Sequence, residues 1–188
     1  MTNNWTGIDT RLYDKPAFVE HLRGLAWAQW HPVGVTLHNT GAPNLRQWVE
    51  LGASHDQRIQ NLQHFYRDTK SWHAAVHGFI SRGHFSGFSP MTAPGVHASC
   101  FNKDHLGFEM TGDFRKGGDQ WSIGDGALVR DMAVFVLAAT FKKLKLDPRA
   151  GLNFHRDCHA DHHACPGDEV DFLDMKARVL AVIPQVDL

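Results

Sequence analysis

Residues 155–167 read HRDCHADHHACPG, and no other stretch of the chain packs imidazole and thiol groups so closely. Such a cluster can close a structural zinc site or supply some ligands of an open catalytic one. A structural site usually draws four ligands from short pairs such as Cys-x2-Cys, whereas Cys158 and Cys165 are seven residues apart. The spacing favours an open site, with a further ligand elsewhere, over a structural one. A solvated, His-rich loop that binds no metal is the alternative, and only a second stretch of the sequence can argue against it.

The strand pattern on either side of this stretch indicates where that further ligand lies. Residues 151–155 read as a short strand that delivers His155 at its end, and residues 33–40 read as a buried strand that carries His38 near its end. Residues 106–112 read as a third strand whose one carboxylate, Glu109, has apolar neighbours. Because burying an unpaired carboxylate is costly, Glu109 points either to a core ion pair or to a functional site.

The remaining segments predict helices and one hairpin. A helix is expected over about residues 14–29, capped by Asp14, and a long, mostly buried helix over about 122–144. The run 71–80 reads as a strand that turns at residues 81–85 into a short partner. A last helix is expected after Asp168-Glu169, with an apolar face that combines Val170, Leu173, Ala177 and Leu180. These elements predict one mixed α/β domain over residues 1–188.

Length and composition narrow the class of protein. The chain has 188 residues, 43% hydrophobic and 21% charged, which suits a single globular core. A net charge of -1 gives no sign of a nucleic-acid partner. No basic segment followed by an apolar run is visible at the start, and no apolar run reaches the roughly 18 residues that span a bilayer. We expect synthesis in the cytoplasm without a signal peptide and no membrane insertion; the sequence does not indicate the oligomeric state.

The cysteine count bears on redox chemistry. Three cysteines are an odd number, so we expect no disulfide framework and favour thiolate chemistry or metal ligation. Cys100 is expected to be a small core residue. Cys158 with His159 is an alternative ligand pair to Cys165 with His163, but Cys158 would need a tight reversal directly after His155. We therefore favour Cys165.

Two imidazoles and one thiolate, from His38, His155 and Cys165, would leave the fourth tetrahedral position of one Zn²⁺ open to water, as in hydrolytic zinc sites. Glu109 is then a candidate base for that water. A structural zinc site with four protein ligands is the alternative.

With these parts assembled, the sequence resembles the zinc-dependent N-acetylmuramoyl-L-alanine amidases that share a fold with peptidoglycan recognition proteins. The resemblance rests on four blocks in the family's order: residues 35–40 (VTLHNT), 71–73 (SWH), 106–114 (LGFEMTGDF), and 153–155 (NFH) with 165–167 (CPG). It implies a central mixed sheet flanked by helices, with the family-like core at about residues 33–182. It also implies cleavage of the lactyl-L-alanine amide of peptidoglycan or muropeptides, with His38, His155 and Cys165 as zinc ligands and Glu109 as a catalytic residue.

Two positions depart from the family pattern. His163 stands where the family commonly has a Lys that stabilises the oxyanion, so we expect His163 to take that role and activity to fall toward alkaline pH. Trp72 stands where another branch has a functional Tyr, and that role is not carried over. Trp72, His73 and His97 are candidates for substrate contact.

The branch of the family is open on sequence grounds. Cys as third ligand resembles phage or prophage endolysins that act on the cell wall. Recycling amidases, which would stay in the cytoplasm and cut anhydro-muropeptides, use Asp there but are closer in length. A non-catalytic peptidoglycan-binding module is a third hypothesis, against which the presence of Cys165 argues.

Overall fold

The computed structural model describes residues 11–50 and 55–188, in which six strands form one mixed sheet between helices. The strands are β1 (Leu12–Tyr13), β2 (Gly34–Asn39), β3 (Gly78–Ser81), β4 (His84–Gly87), β5 (His105–Met110) and β6 (Leu152–Phe154). The helices are α1 (Lys15–Gly24), α2 (Leu45–Glu50), α3 (His55–His64), α4 (Gly124–Leu144), α5 (Pro148–Gly151) and α6 (Phe172–Val182). Single turns of π-helix (Phe65–Thr69) and 3-10 helix (His155–Asp157, Ile183–Gln185) follow α3, β6 and α6.

The strand order explains how distant residues can meet. The order across the sheet is β1-β4-β3-β5-β2-β6, with β3, β5, β2 and β6 mutually parallel and β4 antiparallel to both of its neighbours. The carboxyl ends of the four parallel strands therefore lie along one edge of the sheet, where open α/β sheets place their sites. The predicted mixed sheet flanked by helices is confirmed.

Strand alternation decides which side chains face which layer. Because successive side chains point to opposite faces, the apolar members of three adjacent strands all join the main core: Val35 and Leu37 of β2, Leu106, Phe108 and Met110 of β5, and Leu152 and Phe154 of β6. That core also takes in the buried faces of α1, α4 and α6. The residues between them, which include His38 and Glu109, must face the other side of the sheet. On that side a smaller apolar cluster contains Trp48, Ile59, Phe79 and Phe88.

Helix α4 is the element on which the main core is built. It has buried residues on nearly every side, as its apolar sequence predicts, and it ends at Lys145 in the left-handed conformation (φ 56°). Pro148 then opens the short α5, with Asp147 as its cap. Within residues 11–50 and 55–188, no helix combines the length and hydropathy that a bilayer crossing requires.

The first helix begins where predicted and ends earlier. Asp14 caps α1 by accepting a hydrogen bond from the Ala17 N–H (2.9 Å), but the helix ends at Gly24 rather than near residue 29. Beyond it, the Trp27 indole donates to the Met91 carbonyl (2.6 Å) and the Trp30 indole donates to the Lys103 carbonyl (2.8 Å). These long-range contacts hold residues 25–33 as an irregular connection, which helical periodicity could not reveal.

Two further predictions are corrected. The strand expected at residues 71–80 is regular only from Gly78, because the segment before it makes loop-like hydrogen bonds, including one from the Val96 N–H to the Ala75 carbonyl (3.1 Å). The last helix is capped by Asp171, which accepts from the Asp174 N–H (2.7 Å), and not by Asp168-Glu169. Its buried face is accordingly Met175 and Val179, while Leu173 is 75% exposed.

Candidate metal centre

Three predicted ligands converge at the carboxyl edge of the parallel strands. His38 is the fifth residue of β2, His155 directly follows β6, and these strands are neighbours with Leu37 opposite Phe154. Cys165 comes from the loop that follows. One donor atom from each of the three residues lies within 4.8 Å of the others. The sheet register therefore brings together residues that are 127 positions apart at the extremes.

The hydrogen bonds around the two imidazoles fix their tautomers. The His97 Nε2–H donates to the His105 carbonyl (3.2 Å), which leaves the Nδ1 of His97 as an acceptor for the Nε2–H of His38 (3.1 Å). The His155 Nε2–H in turn donates to the Asp161 carboxylate (3.1 Å). The Nδ1 atoms of His38 and His155 consequently both carry lone pairs, and they lie 3.1 Å apart. Two facing lone pairs repel unless a cation lies between them.

The protonation states of these groups suit a metal as well. Burial, followed by the charges of neighbouring histidines, lowers the pKa of His38 well below its usual range, and burial lowers the pKa of His155. Both rings are therefore neutral at neutral pH, as ligands must be. Burial raises the pKa of the Cys165 thiol to about 12, so its thiolate requires a nearby positive ion. Two imidazole nitrogens and one sulfur form a donor set that fits Zn²⁺.

The loop that carries Cys165 is held closed around the site. The Asn39 N–H donates to the Cys165 sulfur (3.1 Å), and the Arg156 N–H donates to the Cys165 carbonyl (2.9 Å). The Arg156 guanidinium also donates to the carbonyls of Gly167 (3.0 Å) and Val170 (2.9 Å). Arg156, which is adjacent to His155, thus holds residues 165–170, the segment that begins with Cys165.

Glu109 lies beside the ligands on the next strand. It is opposite His38 in the β2–β5 ladder, on the same face of the sheet, and it is only partly exposed. Burial raises the pKa of Glu109 to about 7, which suits a group that must both take and give a proton near neutral pH. The carboxylate also raises the pKa of Cys165, which places its charge close to the ligand set.

His163 and His97 lie on either side of the two ligand imidazoles. The exposed His163 ring stacks on His155, with centroids 4.4 Å apart and planes 10° from parallel. His97 lies edge-on to His38, at 5.1 Å between centroids. Both nitrogens of His97 bind protein groups, so its position suits support of His38 rather than the substrate contact expected from sequence.

The two other candidates for substrate contact lie in the segment before β3. Trp72 stacks on Tyr66 (5.3 Å between centroids, 8° between planes), and His73 is exposed. Sequence reasoning did not single out Tyr66. Its surroundings connect it to the site, because burial and the charge of Glu109 raise the pKa of Tyr66 well above its usual range.

The expectations about the other two cysteines are wrong. Cys100 is exposed rather than part of the core, and it forms a disulfide with the buried Cys158 (5.5 Å between Cα atoms). The crosslink removes Cys158 as the alternative ligand and leaves Cys165 as the free cysteine. An odd count of three is compatible with one crosslinked pair and one ligand, which the count alone could not distinguish.

Comparisons with known proteins agree with this geometry. A family model described as N-acetylmuramoyl-L-alanine amidase matches residues 29–168. The endolysin amidase LysCS from Clostridium intestinale has a similar structure, with a TM-score of 0.60 and 19% identity over 84% of this chain and 92% of that one. Drosophila PGRP-LB gives a TM-score of 0.59 and 18% identity over 95% and 88% of the two chains.

A mutant of Drosophila PGRP-LB in complex with tracheal cytotoxin gives a TM-score of 0.61 and 18% identity, over 92% of this chain and 89% of that one. At such identities the likeness shows a shared fold. No curated protein matches the chain.

Proposed function

The chain belongs to the N-acetylmuramoyl-L-alanine amidase family, and we propose that it is a zinc-dependent member that hydrolyses the lactyl-L-alanine amide of peptidoglycan. The observation that carries the proposal is the pair of facing lone pairs on His38 and His155, 3.1 Å apart and beside the Cys165 sulfur. Such an arrangement has a physical reason to exist only if a cation binds there.

His38, His155 and Cys165 would hold the zinc ion. Bound zinc supplies Lewis acidity toward water and toward the amide carbonyl. In hydrolysis the water oxygen forms a bond to the lactyl carbonyl carbon and the bond from that carbon to the alanine nitrogen breaks. The products are a lactyl carboxylate and a stem peptide with a free amine.

Glu109 accepts the proton of the attacking water and delivers it to the alanine nitrogen as the amide bond breaks. A pKa near 7 makes one residue competent for both transfers, since neither the acid nor the base form is strongly disfavoured. His163, exposed beside His155, donates to the oxyanion that develops on the carbonyl oxygen. These roles account for a partly buried carboxylate and a stacked imidazole at this edge of the sheet.

We further propose that the enzyme is a phage or prophage endolysin that acts on the cell wall. The thiolate ligand supports this assignment, as does the similarity in fold to an endolysin amidase. A recycling amidase specific for anhydro-muropeptides is the second candidate. The fold shared with a recognition protein that was solved with tracheal cytotoxin supports a muropeptide as the common substrate element.

A parallel digestion tests the activity and separates the candidates. Purified sacculi and soluble 1,6-anhydro-muropeptides are incubated with the protein, and released peptides are identified by mass spectrometry. We expect stem peptides with free L-alanine amines from sacculi, loss of release with a chelator, and recovery with zinc. Release from the soluble fragments alone would replace the endolysin assignment with recycling. Binding without release from either substrate would refute the hydrolase.

Glu109→Gln tests the proposed proton transfer. The substitution keeps the size of the side chain and removes the acid–base function, so zinc should still bind while kcat falls by about 10² to 10⁴. Glu169→Gln is the matched control, because Glu169 is exposed and should leave kcat unchanged. Equal kcat in Glu109→Gln and wild type would remove Glu109 from the mechanism.

A further inference from the structure

His155 is oriented by a carboxylate from its own loop. Its Nδ1 faces the Nδ1 of His38, while its Nε2–H donates to Asp161 Oδ2 (3.1 Å). A carboxylate on the far nitrogen of a ligating imidazole fixes the tautomer and the ring plane and increases the basicity of the ligating nitrogen. The position of Asp161 therefore controls how well His155 can bind a metal.

Asp161 is itself held from a different segment of the chain. The Ser99 N–H donates to Asp161 Oδ2 (2.8 Å), and the Ser99 hydroxyl donates to Asp161 Oδ1. Both carboxylate oxygens are thus bound to one residue that is 62 positions away in sequence. Both residues lie near the surface, where water can compete for these hydrogen bonds if the two segments separate.

The disulfide lies directly beside this contact. Cys100 follows Ser99, and Cys158 accepts a hydrogen bond through its carbonyl from the Asp161 N–H (3.1 Å). The crosslink closes a separation of 58 residues between the two segments. In the folded chain the sheet already fixes β5, which begins six residues after Ser99, and β6, which ends four residues before Cys158. Without the crosslink, only non-covalent contacts between these two short loop segments would keep Ser99 against Asp161.

We propose that Asp161 is a positioning residue for His155 and that the Cys100–Cys158 disulfide keeps Ser99 bound to Asp161, so that zinc affinity depends on thiol redox state. The inference rests on the proposed zinc site. It gives the disulfide a role in metal binding and not only in fold stability. A protein made in a reducing compartment would hold zinc less tightly than the same protein after oxidation outside it.

The redox step is an ordinary thiol–disulfide exchange with an external thiol reductant. The Cys100–Cys158 bond breaks, each cysteine sulfur gains one electron and one proton, and two reductant thiols become a disulfide. The reverse reaction needs a small-molecule disulfide as oxidant. Cys100 is exposed and is the accessible sulfur for attack, while Cys158 is buried and is the leaving group.

A double-mutant cycle tests the coupling between Asp161 and the disulfide. Zinc affinity is measured by competition with a chromophoric chelator for wild type, Asp161→Asn, Cys100→Ser/Cys158→Ser and the triple variant. We expect Asp161→Asn to weaken binding by about 10- to 100-fold in wild type. In the crosslink-free background the same substitution should cost much less, because Asp161 is no longer held there.

Three controls keep the cycle interpretable. Asp168→Asn removes an equal charge from an exposed site in the same region and should leave zinc affinity unchanged. A phosphine reductant, which avoids the zinc binding of dithiols, should weaken binding in wild type and have no effect on the crosslink-free variant. Circular dichroism of each metal-free variant establishes that it is folded.

A readout without metal separates this inference from the proposed function. Nitrogen-15 NMR of the histidine rings in the metal-free protein should show the Nε2–H tautomer of His155 in the disulfide form and a tautomer mixture in Cys100→Ser/Cys158→Ser. Failure of wild type to bind zinc would refute the metal site and leave this readout decisive. An equal cost of Asp161→Asn in both backgrounds, or a tautomer independent of the crosslink, would overturn the inference.

Discussion

The two imidazoles of the candidate metal centre are held in different ways. His38 lies within the ladder of β2, is 4% exposed, and is backed by the neutral ring of His97. His155 lies just past the end of β6, is more exposed, and is backed by the carboxylate of Asp161. One side of the site, the strand side, is positioned by sheet hydrogen bonds. The other, the loop side, is positioned by contacts between two loops.

Because of this difference, the site combines one ligand whose position is fixed by the sheet with another whose position can change. On the strand side, the β5 and β6 ladders hold the backbone of β2 from both edges, so His38 moves only if the sheet does. On the loop side, the position of His155 depends on a few hydrogen bonds and one crosslink. We expect conditions that spare the fold to affect the loop side first.

Removal of either ligand imidazole should have the largest effect on zinc binding and activity. His38→Ala and His155→Ala should each abolish detectable zinc binding and amidase activity, because two remaining protein donors do not hold the ion in a tetrahedral site. The matched control is His159→Ala, an exposed histidine of the same loop. Residual metal-dependent turnover in His38→Ala would contradict this expectation by showing that the loop side alone can hold the ion. Metal content and peptide release are the measurements.

On the strand side, Glu109 should make the free energy of unfolding depend on pH. Its folded-state pKa of about 7 lies above the ordinary 4.5, so the folded protein binds the proton more tightly than the unfolded chain. Relative to Glu109→Gln, wild-type stability should therefore be greatest below pH 4.5, fall as pH rises toward 7, and level off above it. The total change corresponds to about 3 kcal/mol.

Urea unfolding of the metal-free proteins at pH 5 and pH 8 measures that difference, and the shared histidines cancel between the two variants. Equal stability differences at both pH values would show that Glu109 is solvated in the folded state and would remove the basis for its proton-transfer role.

The smallest predicted effect concerns the residue behind His38. His97→Ala should weaken zinc binding by about tenfold through loss of ring orientation, and His97→Gln should restore part of it because an amide can also accept and donate. Because His97 is bound to the His105 carbonyl of β5, this loss should be the same with or without the disulfide. A loss that depends on the crosslink would show that the two sides of the site are not separate.

Sequence alone predicts the strand side well. The patterns around His38, around Glu109 and before His155 indicate three strands, the first of them buried, and the structure has strands at all three places. For β2 the reason is that a strand buried on both faces is nearly continuous in β-branched and aliphatic residues, and such a run is easily recognised in a sequence. The long α4 is predicted for the same reason.

The contacts of the loop side are predicted much less completely from the sequence. Neither the pairing of Cys100 with Cys158 nor the contact of Ser99 with Asp161 has a local signature, since both join segments about 60 residues apart. Their meeting depends on the sheet order, which no periodicity encodes. Tyr66 was missed in the same way, because only the folded chain places it near Glu109.

The closure of residues 156–165 by Arg156 has a thermodynamic consequence. Its amide and guanidinium bind the carbonyls of Cys165, Gly167 and Val170, and because all of these are protein groups, the backbone around the sulfur can be ordered during folding without the ion. Metal uptake then buries little additional apolar surface. Calorimetric titration should accordingly give a heat-capacity change near zero, unlike that of small domains whose metal nucleates their structure.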